Sequence, residues 1–334
     1  MPIITRKNEV LSIYREAMER KWVLPCFCTE NLTTTEAILE AARRYAEAIN
    51  QPDLPIIVAI TNNYDHRAQS TYYTHTKQWQ IGIKLFMADL HVLAESGSPY
   101  EHLRIMIHLD HIQFDADEQL LNWDMSRFSS IMFDASKVPF NDNIRLTREF
   151  VEKEGHQIVI EGACDEIVDA SGAVRSELTT PENADLFLKG TGADLIVANL
   201  GTEHRASGKD LQYYSEQAIR IKEKIGSRIV LHGTSSVSSE KITHLFNDGV
   251  CKVNIWTALE RDTSPALLQD MAAHACQIAG AEITDELKKE GLLGPMSPGD
   301  CKASIDYFTT AYRQTIIYKG MIDIVYDYLR LWYR

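Results

Sequence analysis

No run of eighteen apolar residues occurs in the chain, so no membrane-spanning helix is expected. The opening segment MPIITRKNEVLSIYREAMERK carries charges where a secretory signal needs an apolar centre, so no signal peptide is expected either. Cysteine is sparse: Cys26, Cys28, Cys164, Cys251, Cys276 and Cys301 are scattered through 334 residues. Such a distribution is not a disulfide framework and predicts a reduced, cytoplasmic setting. Cys26 and Cys28 form C-x-C rather than C-x-x-C, at alternate positions of an expected strand, and read as buried packing residues. Positive charge is also in deficit, with 34 Lys and Arg against 47 Asp and Glu and a net charge of −13. A chain that repels phosphate overall is poorly suited to non-specific nucleic-acid binding, so no nucleic-acid partner is expected. An anionic substrate would need positive charge supplied locally, by a metal or by helix N-termini. No G-x-G-x-x-G follows the first strand, which leaves a dinucleotide fold without support.

What is present is an ordinary globular composition, 45% apolar and 24% charged, which excludes a disordered, collagen-like or coiled-coil chain. Strand-like and helix-like segments alternate along it. Strands are expected at 22–28, 54–60, 104–109, 129–133, 157–160, 194–199, 228–231 and 251–255. LPIIVAI (54–60) is nearly all apolar, as suits a strand buried on both faces. Helices are expected between the strands, among them 8–21, 33–49, 81–94, 115–126, 141–155 (with Gly155 as its C-cap), 181–190 (with Pro181 at its start), 211–226 and 238–249. Eight β–α units in about 250 residues predict an α/β fold, a (β/α)8 TIM barrel over residues 1–260. A doubly wound open sheet, the rival, rarely needs eight strands with such short connections. Residues 261–334 read as a C-terminal helical extension, with a loop at 292–299, packed on the barrel or at a subunit interface.

In such a barrel the catalytic groups stand at the C-terminal ends of the strands. The second strand ends in Thr61 and Asn62, the third in His108, Asp110 and His111, the fourth in Asp134 and Ser136, and the fifth in Glu161. The sixth ends in Glu203 and His204, the seventh in His232, and the eighth in Asn254 and Thr257. Three strand ends each supply a histidine and their neighbours supply carboxylates. Three histidines with one open position make a catalytic zinc site.

The segments IHLDH (107–111), SSIMFDASKVPFNDNIRLT (129–147), LGTEH (200–204), LHG (231–233) and KVNIWT (252–257) together resemble the class II, metal-dependent fructose-bisphosphate aldolases and their tagatose-bisphosphate relatives. ENLTTTEAILEAA (30–42) fits that family's first helix. The resemblance implies His111, His204 and His232 as metal ligands and Asp110 as the catalytic acid/base, with Asp134 and Glu161 near the metal: Glu161 as a further ligand, Asp134 as a partner of a ligand. It implies substrate contacts from Thr61, Arg205, Gly233, Ser235, Asn254 and Thr257, the last four at the donor's phosphate and hydroxyls. The cofactor implied is a divalent ion, zinc, with a monovalent cation as a second candidate. It polarises the substrate carbonyl and stabilises the enediolate left when the C–C bond breaks. Lys252, a possible Schiff-base lysine on the eighth strand, is not needed in this chemistry. The implied partners are a small sugar or sugar phosphate and further copies of the chain, as a homodimer or homotetramer.

Several positions depart from the family pattern. Thr234 stands where a glycine is usual, and Arg205 replaces the glycine after the sixth-strand histidine. One carboxylate of E-x-E is lost at Glu161-Gly162-Ala163, and CDEIVDASGAVRSEL (164–178) replaces a glycine-rich loop, leaving Asp165 or Glu166 as candidates for its acid. Cys28 and Trp256 occupy positions that are polar in the family. The resulting expectation is a class II aldolase acting on a ketose or ketose phosphate other than fructose 1,6-bisphosphate. A non-catalytic aldolase-like subunit and a different metal-assisted lyase on the same barrel are the alternatives.

Overall fold

The computed structural model describes residues 3–334 apart from 66, 167–176, 204–210 and the side chain of Ser236. Eight parallel strands close into a barrel in chain order: β1 (Leu24–Cys28), β2 (Pro55–Thr61), β3 (Arg104–Gln113), β4 (Ser130–Asp134), β5 (Val159–Ala163), β6 (Leu195–Val197), β7 (Ile229–Leu231) and β8 (Val250–Ile255). All eight fall where the sequence places them. Every residue of β2 is buried, because one face fills the barrel and the other lies under helices.

The flanking helices form for local reasons. Leu32–Ala48 starts where the Asn31 side chain accepts from the Thr34 amide at 3.3 Å, and it buries Ala37, Ile38, Ala41, Ala42 and Tyr45 against the barrel. Pro181–Thr191 starts at Pro181, with Thr180 Oγ1 accepting from Asn183 N at 3.1 Å. Two expected helices are shorter than their patterns. Within 115–126 only Glu118–Leu121 is α-helical, followed by a 3-10 turn at Met125–Arg127. Asp117 is the reason: its buried carboxylate accepts from Asn62 Nδ2, Asn63 N and Gln113 N at 2.7–3.0 Å, tying two loops together instead of letting a helix start earlier. Within 238–249 only Ser239–Ile242 is helical. Gly155 does sit at a C-cap, but in right-handed geometry; it is glycine because a Cβ there would stand 2.5 Å from the Val151 carbonyl oxygen.

One irregularity positions the site. Leu109 pairs with Ile131 and Ile112 with Phe133, so Asp110 and His111 together face Met132 alone. This is a β-bulge, and His111 takes a left-handed φ of 48° within it. Consecutive residues of a regular strand point to opposite faces. The bulge removes that alternation and lets Asp110 and His111 both reach the mouth of the barrel.

The C-terminal segment buries Trp332 and Tyr333 against the barrel. Helix Thr310–Trp332 lies along Leu32–Ala48 and Thr257–Ala273. Beyond it Tyr333 is 2% exposed, donates from its hydroxyl to the Pro55 carbonyl at 2.7 Å, and accepts from Tyr45 Oη at 2.6 Å. Trp332 Nε1 donates to Ile242 O at 2.9 Å, and Trp22 packs on the Tyr333 ring at 4.8 Å. Cys276 and Cys301 form a disulfide within this segment, with Cα atoms 5.9 Å apart. A single pair is still no framework, but it is a bond that the cysteine spacing did not point to. It joins a stretch in which Cys276 and Thr284 are the only buried positions between 275 and 304. Cys26, Cys28, Cys164 and Cys251 are free and buried, as expected for the C-x-C pair. Among the described residues no helix is long and apolar enough to cross a membrane.

Tyr333→Ala removes a buried ring from beneath β2 and is expected to cost about 3–5 kcal/mol of unfolding free energy in urea titrations. A change below about 1 kcal/mol would show that the extension is not part of the barrel's cooperative unit.

Candidate active site

Asp110, His111 and His232 converge at the C-terminal mouth of the barrel, with one ligand atom from each lying within 4.8 Å of the others. All three are buried. His111 comes from the β3 bulge, and His232 follows β7. His111 Nε2 and His232 Nδ1 stand 3.2 Å apart. Two nitrogens each about 2.0–2.1 Å from a tetrahedral zinc are themselves about 3.3 Å apart, so this pair fits the ion. On the other side of its ring, His111 Nδ1 lies 3.1 Å from Asp134 Oδ2. That carboxylate also accepts from Gln113 Nε2 at 3.0 Å and, through Oδ1, from Ser136 N at 3.0 Å. Burial raises its pKa, but these hydrogen bonds and the His111 charge prevail and hold it at about 2. An ionised acceptor at Nδ1 leaves Nε2 of His111 as the atom aimed at an ion.

His204, the third expected ligand, lies outside the described residues, as does Arg205. The chain just before them is placed: Thr202 Oγ1 donates to the His232 carbonyl at 2.6 Å. Gly233, at φ +69°, is pressed against Glu203, whose backbone a Cβ would meet at 2.8 Å. Gly233 is therefore required by the close approach of the strand-six loop to the strand-seven loop.

Asp110 sits beside the histidines. Its Oδ1 accepts from Asn254 Nδ2 at 2.8 Å and its Oδ2 from Cys28 Sγ at 3.3 Å. Burial pushes the carboxyl up, but the neighbouring His111, His108 and His232 outweigh it and keep it well below the usual carboxylate range. Glu161 lies apart from this group. Lys252 Nζ stands 2.8 Å from each of its oxygens, and 3.1 Å from His108 Nε2. Glu161 and Lys252 have no exposed surface. Burial alone would lower the lysine's pKa, but the surrounding acids prevail and raise it. Lys252 thus keeps its proton, and an ammonium so paired has no lone pair for a substrate carbonyl.

A cavity opens above these groups. It is lined by Asp110, His111 and His232, by the expected substrate residues Thr61, Gly233, Ser235, Asn254 and Thr257, and also by Cys28, Tyr64, Arg67, Gln69 and Trp256. Thr61 serves it indirectly, since its hydroxyl donates to the Arg67 carbonyl and its amide to Gln69 Oε1 at 2.9 Å. Thr234, which stands where the family has a glycine, is fully buried and does not line the cavity, so its Cβ gives no ground for excluding a phosphate. A smaller cavity on the far side of Tyr64 and His111 is lined by Asp134, Lys137, Asp165 and Glu166, which places both candidate loop acids near the histidines.

Sequence reasoning missed Tyr64 and Arg67. Tyr64 stacks face to face on His111, with ring centroids 4.1 Å apart and planes 4° from parallel. Both belong to NNYDHR (62–67), a polar run directly after β2 and therefore on the catalytic face of the barrel. That position was the available signal.

The family model described as "Fructose-bisphosphate aldolase class-II" matches residues 8–297 of the chain. Among solved structures, the fructose-bisphosphate aldolase from Campylobacter jejuni is similar, with a TM-score of 0.68 and 20% identity, over 99% of this chain and 95% of that one. The YdjI aldolase from Escherichia coli K12 is similar with a TM-score of 0.63 and 18% identity, over 96% of this chain and 94% of that one. At these identities the structural likeness bears on the fold.

Asp134→Asn takes away the charge behind His111, and zinc affinity is expected to fall about 10–100-fold. His232→Ala is expected to abolish stoichiometric zinc binding in equilibrium dialysis. Unchanged zinc content in His232→Ala would remove that residue from the ligand set.

Proposed function

The chain belongs to the class II fructose-bisphosphate aldolase family, and from that premise we propose that it is a metal-dependent aldehyde-lyase, reversibly cleaving a ketose or ketose phosphate into a dihydroxyacetone-type fragment and an aldehyde. The observation that carries the reading is the convergence of Asp110, His111 and His232 at one cavity. His111, His204 and His232 are the proposed ligands of a divalent ion, zinc. When bound, the ion supplies Lewis-acid polarisation of the substrate carbonyl. Asp134 orients His111 through Nδ1.

In the cleavage direction Asp110 takes the proton from the hydroxyl whose carbon becomes the aldehyde, the C–C bond breaks, and its electron pair stays on the carbonyl-bearing fragment, which takes up a proton at that carbon from water to give the dihydroxyacetone-type product. In condensation Asp110 returns the proton. Asn254 and Cys28 each hold one of its oxygens, which fixes the carboxylate against the reacting hydroxyl. Its depressed pKa favours the ionised form that a base requires. Lys252 forms no covalent intermediate here; paired with Glu161, it holds the polar floor beneath His108 and Asp110. A homodimer or homotetramer is part of the same proposal.

Asp110→Asn keeps the shape and the acceptor for Asn254 but cannot carry a proton. It is expected to retain fold and zinc while kcat falls about 10²–10⁴-fold. Activity at the wild-type level would exclude Asp110 as the acid/base, and zinc lost together with rate would make it a support for His111 instead.

A further inference from the structure

One arc of the cavity is lined by Arg67, Gln69 and Trp256, and behind them lies Glu30, a cluster that the proposed chemistry does not use. Glu30 follows β1, Arg67 and Gln69 follow β2, and Trp256 follows β8, three strands that are neighbours in the barrel. Glu30 is the hub, only 7% exposed. Arg67 Nε lies 3.0 Å from both its oxygens, Arg67 Nη2 donates to Oε2, and Trp256 Nε1 donates to Oε1 at 2.8 Å. These bonds occupy Nε and Nη2 of Arg67. Nη1 makes no hydrogen bond among the described residues, and the side chain is 36% exposed where it lines the cavity.

The pairing changes what Arg67 offers a ligand. A lone guanidinium attracts an anion as a full charge. One gripped in a fork by a buried carboxylate presents an N–H donor with its charge cancelled. A second acid sharpens this. Burial and the adjacent Glu30 charge push Glu260 up to about 7, so that Glu30, Arg67 and Glu260 together carry between zero and one net negative charge at neutral pH. A phosphate dianion brought here loses hydration and meets no net attraction. A sugar hydroxyl can accept from Nη1, while Glu30, held behind the cavity wall by Arg67, Gln69 and Trp256, sets the charge of that donor.

We propose that the Glu30–Arg67 pair determines specificity by binding the hydroxyls at the end of the substrate away from the histidines and rejecting a phosphate there. The favoured substrate is then a ketose monophosphate, not a bisphosphate. The proposal rests on the aldolase reading above.

The test compares the 1-phosphates of D-fructose and D-tagatose with their 1,6-bisphosphates, which differ only at the far end. Cleavage is followed as aldehyde release by the zinc-loaded enzyme, and binding by calorimetry in the Asp110→Asn background, where turnover is suppressed. Both readouts should favour the monophosphates at least about tenfold. Glu30→Gln keeps the shape and an acceptor for Trp256 but takes one negative charge from beside Arg67; it should narrow that preference at least about tenfold, chiefly by tighter bisphosphate binding. Arg67→Met combined with Glu30→Gln, which leaves no carboxylate stranded, should weaken monophosphate binding about tenfold. The pair's role is overturned by a preference unchanged in Glu30→Gln, by a wild-type preference for the bisphosphates, or by binding of neither class. Esters bound with the expected preference but never cleaved would instead overturn the aldolase reading and support the pair as a specificity device.

Discussion

The two-against-one pairing of Asp110 and His111 with Met132 is the constraint on which the site depends. A regular β3 would aim one of these side chains into the barrel and the other into the helical layer. The bulge brings both to the mouth at the cost of a histidine in the left-handed region, a conformation worth about 1–3 kcal/mol of strain. Histidine tolerates that region better than branched residues do. Surrounding contacts hold it there: Asp134 on its Nδ1, His232 at its Nε2 and the Tyr64 ring stacked on its face.

Beneath this surface the barrel interior is polar where a barrel core is usually branched and apolar. Lys252 and Glu161 pair with no exposed surface, Lys252 Nζ lies 3.1 Å from His108 Nε2, and Ser130 Oγ meets His108 Nδ1 at 2.8 Å. A buried ion pair adds little net stability, yet removing one partner leaves the other charge stranded. Its value lies in what it supports. His108 Nε2 is 3.6 Å from Asp110 Oδ1, so this floor fixes the electrostatic setting of the carboxylate above it. In the proposed function, cleavage chemistry and substrate reading fall to different strands around one cavity. The histidines and Asp110 belong to β3 and β7 with the protonated floor below, whereas the Glu30–Arg67 pair belongs to β1 and β2 and is tied to β8 through Trp256.

The sequence by itself determined the eight strands, their parallel order in a closed barrel, and the side chains at the strand ends. Those features follow from local periodicity, since an all-apolar run such as 54–60 suits only a strand covered on both sides. It also placed Asp110, His111 and His232 together, because the C-terminal ends of barrel strands share one face. Only the tertiary structure decided which carboxylate does what. Asp134 backs His111 as its position implied, yet Glu161, expected as a further ligand, is taken by Lys252, a residue 91 positions away. The same holds for the Cys276–Cys301 pair, for Thr234 buried outside the cavity lining, for Asp117 delaying the start of a helix, and for Arg67 seated on Glu30. Each depends on groups brought together by barrel closure, and long-range proximity leaves no trace in local periodicity or composition.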